Sequence, residues 1–191
     1  MKPRIVIDPG HGGNSNPGAC AGGSKEKDIV LACAKMLGHF FRELGYTTVF
    51  TRDTDKTLSN SYRSSIAKHG DILISLHSNG SVNKSANGSE IWYRSGVEAS
   101  KVLSQYVCRS VDALDFFTKR GVKGDKSRYP IWGFYMLRNA LANRCKSCIL
   151  TEVGFISNIN DREVLTTTKK RNLIAKAICN GVHKYIQEYL Q

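Results

Sequence analysis

A chain of 191 residues with 41% hydrophobic residues and 4 prolines is large enough to bury one core, and residues 1–191 are expected to form one domain. Lys+Arg outnumber Asp+Glu by 28 to 16, a formal net charge of +12 that suits nucleic acid, acidic lipid or an anionic wall polymer but specifies neither fold nor reaction. No apolar stretch is long enough for a membrane span, so no membrane insertion is expected, and the basic residues are dispersed without a run of five or six like charges.

The N-terminal apolar run ends at Asp8 instead of continuing as an export signal. The protein is therefore expected to be made in the cytoplasm without a signal peptide, and to reach any wall it attacks after release, as in lysis. Residues 4–8, R-I-V-I-D, read as a buried strand stopped by Pro9-Gly10. Residues 10–23 hold six glycines and read as a loop. Ser24 is then placed to cap a helix whose apolar positions Ile29, Cys33, Leu37, Phe40 and Leu44 keep helical spacing up to Gly45. Residues 46–51 are rich in β-branched and aromatic types and predict a second strand, followed by a helix over 59–68.

Gly70-Asp71 opens the run I-L-I-S-L, a third strand that ends at His77. Residues 89–94 predict another strand, and Val97, Leu103, Tyr106, Val107, Val111 and Leu114 fit a helix. The basic, glycine-containing stretch 116–129 is expected to be an exposed loop. Residues 148–152 form a further buried strand, and the last helix is expected from Lys169 to Tyr189. Strands alternating with helices imply an α/β fold, a three-layer αβα single domain with a mostly parallel twisted sheet.

Of the six cysteines, Cys33, Cys108 and Cys179 fall inside apolar helical patterns, where a thiol packs as a small hydrophobe. Cys145 and Cys148 form a lone C-K-S-C that cannot close a four-cysteine metal site and leads into Ile149-Leu150, so it reads as core. With Cys20, these are not expected to form a disulfide framework.

In an open α/β sheet, ligands bind beyond the carboxyl ends of the strands. His11 follows the first strand, His77 ends the third, Glu152 ends the strand begun near Cys148, and Glu26 lies in the first turn of the first helix. Two histidines and a carboxylate are a hydrolytic zinc donor set that leaves a position open for water, and a second carboxylate would move protons. Each residue also has an ordinary reading: a hydrogen-bonded loop histidine, or a glutamate complementing a helix dipole. Residue chemistry alone leaves the metal and the substrate open.

The chain resembles the amidase-3 family of N-acetylmuramoyl-L-alanine amidases, through I-V-I-D-P-G-H-G-G at 5–13, E-K-D at 26–28 and S-L-H-S-N-G at 75–80. Thr51-Arg52, Arg63 with Ala67, Gly88-Ser89-Glu90, R-G-V-K at 120–123, Leu137-Arg138 and T-E-V-G-F-I-S-N at 151–158 follow in the family's order. The resemblance implies Zn2+ held by His11, Glu26 and His77, with Glu152 catalytic. It implies hydrolysis of the amide between the lactyl group of N-acetylmuramic acid and L-alanine of the stem peptide, with bacterial peptidoglycan as partner, as in an endolysin or autolysin. Lys68, Ser78 and Gly80 depart from the usual Asn and alanines but remove no ligand. Between Gly88 and Arg120 no acidic helical insertion is found, so the site is expected to be open.

Asn79, Arg63 and Arg138 are the expected substrate contacts, Arg120 is another arginine expected near the cleft, and Asp8 is expected to orient the loop or His11. His39, His69 and His183 are expected on the surface, away from the strand tips. Trp92, Tyr93, Tyr129 and Trp132 divide between core packing and stacking on substrate. Two other functions fit some features: a zinc peptidase acting within the stem peptide, and a binding module for nucleic acid or teichoic acid motivated by charge alone. Anionic wall polymers are the expected partners of the charge, and nucleic acid is not.

Overall fold

β-branched residues alternate their faces along Ile5–Pro9 (β1), sending Ile5 and Ile7 into one core and Val6 into a second on the opposite side of the sheet. This strand lies inside a six-stranded sheet in a computed structural model that describes residues 2–143 and 145–190. It pairs in parallel with Thr48–Phe50 (β4) and Ile72–Asn79 (β5), and β5 pairs in parallel with Ser147–Phe155 (β8). Ser89–Tyr93 (β6) runs antiparallel to β8, and Lys119–Gly124 (β7) runs parallel to β6 at the edge, giving the order β4-β1-β5-β8-β6-β7. Cys20–Ala21 (β2) and Ser24–Lys25 (β3) form a small separate ladder.

Helices cover both faces, as parallel strands buried on both sides require. Glu26–Glu43 (α1), Glu98–Asp112 (α3) and Thr168–Tyr189 (α6) pack on the Ile5 side, joined by the short Ile159–Thr166 (α5). Asn60–Ile66 (α2) and Tyr135–Ala142 (α4) cover the Val6 side with Leu73, Trp92 and Leu150. Cys33, Cys108, Cys145, Cys148 and Cys179 are buried free thiols, and Cys20 is free and exposed.

Three expectations change. The stretch 116–129 is not simply a loop: it contains β7, whose Lys119, Arg120, Lys123 and two glycines conceal a strand and blunt a sheet edge. Ser24 does not cap α1, because it lies in β3; loop carbonyls of Ala19 and Pro17 accept from the Glu26 and Lys27 amides at 2.9 and 3.1 Å instead. The third strand continues past His77 to Asn79 through a bulge, which shifts the register against β8. Ser59, by contrast, caps α2 by accepting from the Tyr62 amide at 3.1 Å.

Candidate metal centre and cleft

Because backbone carbonyls satisfy the start of α1, the Glu26 side chain is released from capping and turns inward, with only 5% of it exposed. Its Oε2 accepts from the Ala19 amide at 2.8 Å, and its Oε1 accepts from the Ser78 amide at 3.0 Å. The same Oε1 lies 3.1 Å from His11 Nε2 and 3.0 Å from His77 Nδ1. One ligand atom from each of the three residues can be chosen so that all lie within 4.8 Å of one another. Tetrahedral ligands on bonds of about 2.0–2.1 Å stand roughly 3.3 Å apart, so the carboxylate contacts are already near coordination spacing.

His11 holds a left-handed backbone, φ 59°, a conformation that costs a non-glycine residue on the order of 1 kcal/mol. Its Nδ1 lies 2.7 Å from Asn16 Oδ1, an acceptor that fixes the proton on Nδ1 and leaves the Nε2 lone pair facing Glu26. The strained turn is tied from below. Arg52 donates to the carbonyls of Pro9 at 3.0 Å, Gly10 at 2.8 Å and Lys27 at 2.9 Å. Gly10 is required because a Cβ there would stand 2.3 Å from His77 Cε1.

Arg63, expected as a substrate contact, is buried beneath the loop and does not line the cleft. It pairs with Asp8 at 3.0 Å, donates to Pro9 O at 2.7 Å and also donates to His11 O. Asp8, which also accepts from Thr51 and Ser75 hydroxyls at 2.5 and 2.7 Å, orients the loop through Arg63 and not through the His11 ring. Arg63→Leu would strand the buried Asp8 charge and is expected to destabilise the fold by about 3–5 kcal/mol. Urea unfolding checks this; loss of substrate affinity at unchanged stability would return Arg63 to the substrate.

Register places Glu152 beside His77 on β5 and opposite Glu90 on β6. Glu152 Oε2 is buried without a hydrogen-bond partner among the described residues. Burial raises its pKa to about 8, His77 pulls the other way, and the negative charges of Glu26 and Glu90 add to the rise. Glu90 is held ionised: burial pushes it up, but Lys123 at 2.6 Å, Arg120 at 2.7 Å and Asn79 at 3.2 Å bring its pKa down to about 2. Asn79 thus spends its amide on Glu90 instead of opening to the cleft, and Arg120 braces the same carboxylate. For Glu26, burial is likewise outweighed by the His11 and His77 contacts, which keep it anionic. Burial opposes charge on His77, yet Glu26 raises its pKa in the metal-free protein.

These groups open into a cleft of about 430 Å³ lined by His11, Asn16, His77, Glu152, Arg128 and Tyr129 among others. A larger groove, about 820 Å³ between α3 and α6, lies on the other face and holds none of the four expected functional residues. Arg138 stands near the cleft, stacked 5.4 Å from both the Trp132 and Tyr135 ring centroids. Trp92 is core and Trp132 is exposed. His39 and His69 are exposed, whereas His183 is half-buried and lies 2.7 Å from the Tyr46 hydroxyl, away from the cluster. Sequence reasoning assigned no role to Asn16, Arg52, Glu90 or Arg128; only Arg52 and Glu90 lay inside quoted motifs.

An αβα domain with two imidazoles, a carboxylate and a buried unpartnered carboxyl at the sheet's carboxyl edge has the architecture of a metallohydrolase. The family model described as N-acetylmuramoyl-L-alanine amidase matches residues 5–184, and the chain belongs to that family. It is 30% identical over 188 residues to the probable cell wall amidase LytH of Staphylococcus saprophyticus, covering 96% of this chain and 58% of that protein. Among solved structures, the amidase AmiC2 of Nostoc punctiforme superposes with a TM-score of 0.85 at 31% identity, covering 96% of this chain and 97% of that one. An N-acetylmuramoyl-L-alanine amidase from Clostridium difficile 630 gives a TM-score of 0.87 at 28% identity, with 97% of each chain covered.

Proposed function

We propose that the protein is a zinc-dependent amidase that hydrolyses the bond between N-acetylmuramic acid and L-alanine in peptidoglycan. One observation carries this reading: in a chain of the amidase family, the His11, Glu26 and His77 donors converge beside the unpartnered buried carboxyl of Glu152. The mixed nitrogen and oxygen set suits zinc, with His11 and His77 neutral and Glu26 ionised as ligands. Zinc, when bound, supplies a Lewis acid that polarises the scissile carbonyl and lowers the pKa of water.

The chain's own residues handle protons and position. Glu152 accepts a proton from the attacking water and delivers it to the departing amine of L-alanine. A cation held at the three ligands opposes the Glu26 and Glu90 charges, favours the Glu152 carboxylate and brings its proton exchange toward neutral pH. Asn16 fixes His11, while Asp8, Arg52 and Arg63 hold its turn. Mass spectrometry of digested wall tests the reaction: new L-alanine amino termini with intact glycan are expected. Cuts within the stem peptide would establish a peptidase instead.

The +12 charge is proposed to draw the protein to anionic wall polymers and not to act in the chemical step. Exposed charges are screened over about 8 Å at physiological ionic strength, so added salt is expected to slow lysis of intact wall far more than hydrolysis of a small muramoyl peptide. Equal salt sensitivity in the two assays would reject this division. Among the described residues, no helix is long and apolar enough to cross a membrane.

A further inference from the structure

Residues 125–134 form a strap that shares the cleft with Glu152, is fixed from within, and exposes both basic and apolar side chains. Asp125 is wholly buried and receives Arg94 Nη1 at 3.0 Å, the Ser95 amide at 2.9 Å and the Phe134 amide at 3.1 Å. Arg94 and Arg138 both donate to the Trp132 carbonyl, at 3.0 and 3.2 Å. Gly133, at φ 66°, leaves room for this knot, since a Cβ would fall 2.1 Å from Asp125 Oδ2.

Held this way, the strap leaves Tyr129 46%, Ile131 75% and Trp132 66% exposed. Apolar side chains kept in water on a tethered backbone beside a cleft, with guanidinium groups among them, are suited to holding a ligand. Arg128 lines the cleft with Glu152, and among the described residues no carboxylate lies within 4.0 Å of its guanidinium. Its guanidinium stands 5.8 Å from the Tyr129 ring centroid and faces the Glu152 and Glu90 charges at longer range, so an incoming anion can still pair with it directly. The leaving limb of the proposed substrate is a peptide that can carry a carboxylate one residue beyond L-alanine.

We infer that the strap is the recognition wall for the peptide limb of the substrate, with Arg128 binding a carboxylate next to the scissile L-alanine and Tyr129 and Trp132 giving it an apolar platform. This deepens the amidase reading and rests on it. A charge-assisted guanidinium–carboxylate contact predicts about tenfold tighter binding of the acid than of its carboxamide.

The test uses the zinc-loaded full chain carrying Glu152→Gln, so that ligand survives, and compares muramoyl-L-alanyl-D-glutamate with the form amidated at its α-carboxylate. Calorimetry is expected to show about tenfold preference for the acid. Arg128→Gln on the same background should abolish the preference, while Trp132→Ala should weaken both ligands alike. Equal affinities before the Arg128 change, no binding of either ligand, or a preference that survives Arg128→Gln would overturn the assignment. Turnover by the unmutated protein is read separately: no cleavage with the preference intact would remove the amidase reaction and uphold the wall.

Discussion

Glu152→Gln is expected to reduce hydrolysis of a muramoyl-L-alanine amide by about 10³-fold while leaving metal content unchanged. The amide keeps the size of the side chain and removes its ability to exchange a proton. The same substitution should stabilise the metal-free fold, with a pH signature. A carboxyl whose pKa rises from 4.5 to about 8 on folding is protonated in both folded and unfolded chains at low pH, where it has no effect. As pH climbs from 4.5 toward 8 the unfolded chain ionises first, and the fold loses stability progressively. Removing the group should therefore add on the order of 4 kcal/mol at about pH 7.5 and almost nothing near pH 4. Turnover within a few fold of the unmutated protein would remove Glu152 from the mechanism; a flat stability difference across pH would contradict its raised pKa.

The parts that were readable from sequence share a physical cause. β1, β5 and β8 are short β-branched or apolar runs buried on both faces, and glycine or proline punctuation ends β1, so composition alone reveals the first of them and where it stops. His11 follows from the end of β1, and His77 from the end of the apolar run that opens β5. β7 was hidden because an edge strand needs no apolar alternation and gains from lysine and arginine. α4 is only eight residues, too short for a periodic pattern to declare itself. The roles of Arg63 and Asn79 depend on which way a polar side chain turns, and that is set by partners 55 and 11 residues away in sequence. Trp92 and Trp132 are chemically identical in the sequence, yet only the packing of Phe134 against Trp92 and the knot at Asp125 separate the buried ring from the exposed one.

Replacement of the three ligands provides the other large expected effect. His11→Ala, Glu26→Ala and His77→Ala should each lose bound zinc and nearly all activity, because two remaining protein ligands do not make the three-ligand hydrolytic site. In the unmutated chain, zinc at about 1,000 times its Kd is expected to add about 4 kcal/mol, or roughly 10 °C in Tm, and each variant should lose that gain. Without metal the three should not behave alike. Glu26→Ala orphans the Ala19 and Ser78 amides and should cost about 2–4 kcal/mol by itself, whereas His11→Ala removes a half-exposed ring at smaller cost. His39→Ala and His183→Ala should keep metal, since one contacts Glu43 on an exposed helix face and the other Tyr46. Elemental analysis together with thermal melts in zinc and in chelator reads all of these outcomes. Zinc retained by His11→Ala, or lost from His39→Ala, would place the centre elsewhere in the fold.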